Sequence, residues 1–235
     1  MKVLGISLWS TTPLLNDEQK QQIRASVQPG DILLEGTSTS FGWQVGERLF
    51  NTGKWTHAAV YTGDGHFIDS GSGDFVKEND LEDMLGEATH VAVFRPRFQT
   101  PEDKESFLGY VRDAVGSPYD DGFDTIDETR LYCSELPYWG LKKMPHPIEV
   151  PVDHFGGRSM AVPDALSHSP EIDPVYLSGG EGFAKDMLSH WPVAGVGVAG
   201  AVAGAHFGGV TGAVVGGVLA TVGAVVIGNH IPPRH

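Results

Sequence analysis

One cysteine stands in a chain of 235 residues: Cys133, in the stretch LYCSEL. A lone thiol forms no internal disulfide, which leaves packing or nucleophilic chemistry. An ordinary thiol with a pKa of about 8.5 attacks poorly at neutral pH and needs a helix N-terminus or an imidazolium beside it. Cys133 follows the polar loop SPYDDGFDTIDETR and leads into LYCSELPYWGLKKM, which predicts a helix opening near the cysteine. There the helix dipole favours a thiolate, and backbone N–H groups of the same turn are placed to hold an oxyanion. The chemistry of such a group is acyl transfer through a thioester.

A thiol of this kind needs a base. The chain has ten histidines. His146, His154, His168, His190, His230 and His235 fall in predicted loops or the tail, whereas His57 opens the strand-like run THAAVY. That run and HFID flank Gly63-Asp64-Gly65 and predict a β-hairpin. A three-residue loop at 63–65 pairs Ala59 with Asp69 and His57 with Gly71, so alternation sets His57 and Asp69 on one face as diagonal neighbours. A carboxylate there accepts an imidazole N–H and fixes its tautomer. A two-residue loop reverses the parity and separates the two. Asp64 reads as a turn former, and His66 and Asp74 are weaker candidates.

The elements that must position these residues follow from local signals. NDEQKQQIRASV (16–27) predicts a short polar helix capped by Asn16, and Asp31–Leu34 a buried strand. TSFGWQVGERLF (39–50) predicts a helix, ENDLEDMLG a short helix or turn, and THVAVFRP a strand closed by Pro96. Residues 100–116 predict a helix with Thr100 as cap, Pro101 at the first position and Gly116 as stop. Residues 145–174 hold six prolines and read as an extended, loop-rich stretch ending in the strand-like PVYL.

The ordered segments PGDILLEG, THAAVYTGDGHFIDSG, VGSPYDDGFD…LYCSELPYWGL and VPDALSHSPEIDPVYL resemble the circularly permuted NlpC-like branch of papain-fold thiol hydrolases, the YiiX/YebB-like group. The resemblance runs over about residues 28–177. It implies an α+β fold, with an antiparallel sheet or small barrel packed on helices. It also implies Cys133 as nucleophile, His57 as general base and Asp69 as the polar third residue. Relatives often carry Glu or His at the third position, so Asp69 is a departure. Tyr119 and Asp31 fall in motif segments and are expected as pocket or structural residues. Neither cofactor nor metal is implied, and the chain has no HExxH motif or cysteine pair.

Composition narrows the partners and divides the chain. The net charge is −14, with no basic patch beyond Lys142-Lys143, which disfavours nucleic acid. Every acidic residue lies at or before Asp186, and the 49 residues after it carry one formal charge, Arg234. The expected organisation is a hydrolase domain at 1–177, a linker and short helix at 178–192, and an apolar glycine-zipper helical segment at 193–228. Within that segment Gly200, Gly204, Gly208, Gly212 and Gly216 recur every fourth residue, the small-xxx-small pattern of close helix packing in membranes. Its length exceeds the roughly 20 residues that cross a bilayer. A flexible glycine-rich tail and tightly packed soluble helices are the competing readings. The N-terminal MKVLGISLWSTTP is a poor Sec signal peptide.

Three functions compete at this level. The first is a cysteine amidase or endopeptidase acting on bacterial cell-wall peptides. It resembles antibacterial effectors secreted without a Sec signal into a target cell's periplasm or to its membrane, with a delivery or immunity protein as partner. The second is a membrane-associated lipid acyl hydrolase or acyltransferase in the producer, since HAAVYTGDGHFID also resembles the hairpin of lecithin:retinol acyltransferase relatives. In those enzymes the third position is His, not Asp. The third is a non-catalytic membrane-perturbing protein.

Overall fold

The computed structural model describes residues 13–36, 55–71, 73–126, 128–155 and 157–178. The helix expected at 39–50 and the glycine segment at 193–228, with Gly200, Gly204, Gly208, Gly212 and Gly216, lie outside these residues. Among the described residues, no helix is long and apolar enough to cross a membrane.

In chain order the elements are α1 (Asp17–Ser26), β1 (Ile32–Gly36), β2 (His57–Gly63), β3 (His66–Ser70), β4 (Val76–Asp80) and α2 (Leu81–Glu87). They continue with β5 (His90–Pro96), α3 (Pro101–Asp113), α4 (Glu135–Lys142), β6 (Asp153–Phe155), β7 (Arg158–Met160), α5 (Pro163–His168) and β8 (Ile172–Leu177). Six strands form one antiparallel sheet in the order β4-β3-β2-β1-β5-β8. The fold is the α+β arrangement of helices on an antiparallel sheet.

Helices cover both faces of this sheet, which explains the unbroken apolar run of β1: Ile32, Leu33 and Leu34 are all fully buried. On one face Ile32, Leu34, Ala58, Val60, Ile68 and Phe94 pack against Phe107 and Leu108 of α3 and Leu136 and Leu141 of α4. On the other, Leu33, Ala59, Tyr61, Phe67 and Val93 pack against Ile23 of α1 and Leu81, Met84 and Leu85 of α2. Each face removes apolar surface from water at about 25 cal/mol per Å², so the sheet is clamped from both sides and its central strands are fixed in register.

The helix termini behave as their sequences specify. Asn16 accepts from the Gln19 N–H at 2.9 Å while Gln19 Oε1 accepts from the Asn16 N–H at 2.9 Å, a reciprocal capping box. Thr100 and Asp103 repeat the device at α3, with Pro101 opening the helix and Gly116 beyond its end at φ +93°.

Two expectations change. Residues 145–174 are not simply extended: they hold the β6–β7 hairpin and the short helix α5, which Pro163 starts from a position where its missing N–H costs nothing. The 57–70 hairpin also turns more tightly than predicted. Ala59 faces Asp69, Val60 faces Ile68 and Tyr61 faces Phe67, but Gly63 then faces His66. The turn is the two residues Asp64 and Gly65, both at positive φ (52° and 81°), as in type I′ turns. Thr62 is the extra residue of a bulge between Tyr61 and Gly63. The bulge cancels the parity change of the shorter turn, so His57 and Asp69 still share a face.

Candidate active site

Asp69 sits on β3 opposite Ala59 of β2, two pairs inward from His57 and on the same face, and its Oδ2 lies 2.6 Å from His57 Nε2. The carboxylate is itself held, because Asn79 Nδ2 on β4 donates to Asp69 Oδ1 at 2.7 Å. Both partners are sheltered, with side chains 23% (His57) and 12% (Asp69) exposed. With Nε2 given to Asp69, Nδ1 is the ring nitrogen left to serve a thiol. Cys133 supplies one, close enough to His57 to favour the protonated ring. Burial opposes the imidazolium, but the hydrogen bond it donates to Asp69, the neighbouring Cys133 and the charges of both outweigh it, holding His57 well above its ordinary 6.5.

Cys133 is 5% exposed and lies two residues ahead of α4, whose N-cap is Ser134. The helix thus begins slightly later than the cysteine itself. Ser134 makes no side-chain capping bond, and its fully buried Oγ has no partner among the described residues. The Glu135 and Leu136 N–H groups both donate to Tyr132 O, at 3.1 and 3.3 Å. The N–H groups of Cys133 and Ser134 meet no acceptor among the described residues. An uncapped helix start directly beside a thiol presents donors and positive dipole to an anion forming on an attacked carbonyl.

The segment carrying the thiol is fixed at several points. Ser70 Oγ, on the opposite face of β3 from Asp69, donates to Leu131 O at 2.5 Å. The Leu131 N–H donates to Pro118 O at 3.0 Å. The Tyr132 hydroxyl accepts from the Ala161 N–H at 2.8 Å and bonds Thr125 Oγ1 at 2.6 Å. Burial above all, with the Glu135 charge, drives the Tyr132 pKa far upward, so it acts as a neutral anchor. The Tyr119 ring meets Phe123 edge-on at 6.0 Å, and Phe123 packs at a tilt against Tyr132 at 5.6 Å, so Tyr119 belongs to an aromatic cluster beside the Cys133 segment.

Asp31 is not brought to the thiol. It stands just before β1, at the far end from Glu35, the residue that faces His57. Its carboxylate forms a forked pair with Arg95, Oδ1 to Nε and Oδ2 to Nη2, both at 2.7 Å. Asp31 is thus a buried ion-pair residue away from the thiol.

Sequence reasoning did not single out Glu35, Asn79 or Ser70. Glu35 faces His57 directly across β1 and β2 and on the same side of the sheet. Burial pushes its carboxyl upward, His57 opposes this, and Asp69 and Glu87 add to the rise. The strand expected at Asp31–Leu34 stops one residue short of Glu35, and its pairing with the His57 strand is not readable from local sequence. Asn79 and Ser70 carry no sequence signal, because a single Asn or Ser on a strand has no distinguishing context.

A thiol just ahead of a helix, an imidazole on a sheet strand and a carboxylate bonded to it form the arrangement expected of a papain-like thiol site, here with the histidine strand preceding the cysteine segment in the chain. Residues 26–147 match the family of permuted papain-like amidase enzymes, the YaeF/YiiX, C92 family, and the chain belongs to that family. It is therefore a papain-like cysteine hydrolase of amidase type. A similar solved structure is that of metalloprotein yiiX from Escherichia coli O157:H7, with a TM-score of 0.54 and 16% identity over 64% of this chain and 97% of that one. At that identity the likeness concerns the fold. A search among curated proteins finds no match. Among the described residues, no group of three or more His, Cys, Asp or Glu is placed to hold a metal ion.

Proposed function

We propose that the protein hydrolyses amide bonds through Cys133, with His57 as acid and base and Asp69 holding the imidazole. The observation that carries this is the chain of contacts Asp69–His57–Cys133 ending at the uncapped start of α4. The Cys133 sulfur adds to the substrate carbonyl carbon, and the oxyanion rests on the Cys133 and Ser134 N–H groups. The imidazolium gives its proton to the departing amine nitrogen as the C–N bond breaks, leaving a thioester. Water then enters; His57 takes its proton, and the C–S bond breaks to release the acid and return the thiolate.

The substrate in this reading is a peptide amide of the bacterial cell wall, and the place of action is outside the producer's cytoplasm, in a target cell's periplasm or at its membrane. The family's amidase description favours an amide over a lipid ester. The uncharged, glycine-rich composition of 193–228 favours work close to a bilayer. A delivery or immunity protein would be the macromolecular partner. The test incubates full-length protein with purified cell-wall peptides and, separately, with phospholipid vesicles. New amine and carboxyl termini from the peptides support the reading. Fatty acid release instead assigns the enzyme to lipid acyl chemistry, and vesicle leakage that survives Cys133→Ala assigns it to membrane perturbation.

A further inference from the structure

At the far end of β1 from His57, a cleft of about 410 Å³ opens between Gln28, Pro29, Arg95, Arg97, Phe98 and Lys104, with Asp31 and Asp173 in its wall. That volume lies within the range of small-molecule sites, roughly 300–1,000 Å³. Four residue steps of strand lead from Asp31 to Glu35, about 13 Å at the usual rise, so the cleft is distinct from the thiol site.

The acceptors of this cleft are engaged while donors remain. Asp31 Oδ1 accepts from Arg95 Nε, and Oδ2 accepts from Arg95 Nη2 and from the Gln28 N–H at 2.7 Å. Asp173 accepts from Arg97 Nε at 2.7 Å and Nη2 at 2.5 Å. A guanidinium has five N–H donors, so Nη1 of each arginine keeps its two. Lys104 has no ion pair among the described residues, and its Cε would touch a Cβ placed on Gly30 at 3.5 Å, which sets the end of that side chain over the Pro29-Gly30 turn. Glu171, whose charge also acts on Arg97, does not line the cleft. The aromatic ring of Phe98 and two prolines supply apolar wall beside these donors.

We infer that this cleft is a second ligand site, which binds a small molecule carrying a phosphate or carboxylate on an apolar body. The oxyanion meets Arg95 Nη1, Arg97 Nη1 and Lys104 Nζ, and the body lies on Phe98. Both arginines are pre-oriented by their forked carboxylate partners, so binding immobilises little beyond the lysine.

Calorimetric titration of the full-length protein with phenyl phosphate and with inorganic phosphate tests this. Saturable one-to-one binding is expected, with phenyl phosphate at least fivefold tighter than inorganic phosphate. Arg97→Gln and Lys104→Gln should each weaken it at least fivefold, and Cys133→Ala should leave it unchanged. Lys104→Gln breaks no ion pair among the described residues and serves even if Arg97→Gln fails to fold. Absence of saturable binding, equal affinity for the two probes, indifference to Lys104→Gln, or loss of binding in Cys133→Ala would each overturn the inference.

Discussion

Ser70 Oγ donates to the carbonyl of Leu131 at 2.5 Å, joining the strand that carries Asp69 to the segment that carries Cys133. The two residues lie 61 positions apart in the chain. One face of β3 therefore presents Asp69 to His57 while the other ties down the Cys133 segment. Ser70→Ala removes the donor and leaves a buried carbonyl unpaired, at a cost of about 1–3 kcal/mol. Urea unfolding should report that loss. Amide hydrolysis at temperatures where the variant is fully folded should fall as well, because the thiol then moves relative to His57.

Asp69→Asn keeps the shape but removes the charge that favours the imidazolium. The alkaline limb of the kcat/KM profile should move down toward the ordinary imidazole range of about 6.5. The rate should drop by about 10²-fold or more. Asn79→Ala, which frees Asp69 Oδ1, should shift the same limb in the same direction by less. A profile that does not move in Asp69→Asn would remove the orienting role from this carboxylate.

Stability should depend on pH in a defined direction. The folded His57 holds its proton above the ordinary value, so its contribution is fully present below about pH 6.5 and is lost as pH rises through the raised value. Glu35 acts with the same sign at lower pH. Its folded carboxyl is raised above the ordinary 4.5, so folding loses stability as the pH climbs from there through the raised value. Denaturant unfolding across this span should show stability declining, with His57→Gln flattening the upper part and Glu35→Gln the lower.

Gly140 lies inside α4, where glycine ordinarily costs about 1 kcal/mol relative to alanine. The usual gain from Gly→Ala should reverse here. A Cβ at this position would stand 2.8 Å from Phe107 Cδ2 and 2.9 Å from its Cε2, and Phe107 is fully buried in α3. Gly140→Ala should destabilise by about 1–3 kcal/mol through overpacking. It should also reduce activity, since Cys133 lies only two residues ahead of α4. Thermal unfolding of the variant checks the sign.

The local elements were legible where chemistry is local. Asn16 and Thr100 cap helices as their sequence contexts indicate, Pro96 closes a strand, and α4 opens two residues beyond Cys133. The His57–Asp69 pairing was reached from a three-residue loop, whereas the chain uses a two-residue turn with a bulge at Thr62. Spacing and alternation alone do not distinguish the two, because each places Ala59 opposite Asp69. The neighbours that complete the site were not legible. Glu35, Asn79 and Ser70 come from three different strands, and their roles depend on register and sheet order. Which end of β1 Asp31 occupies relative to His57 depends on the same register, and it pairs with Arg95 there.

The account rests on a covalent intermediate at Cys133, and trapping it is the most direct measurement. Full-length protein is mixed with cell-wall peptide substrate and quenched in acid within the first turnover. The tryptic fragment Leu131–Lys142 is then weighed. The account predicts a mass increase equal to the acyl half of the cleaved amide on Cys133, absent in Cys133→Ala and strongly diminished in His57→Gln. Undiminished hydrolysis by Cys133→Ala, with no adduct on the wild-type fragment, would contradict it.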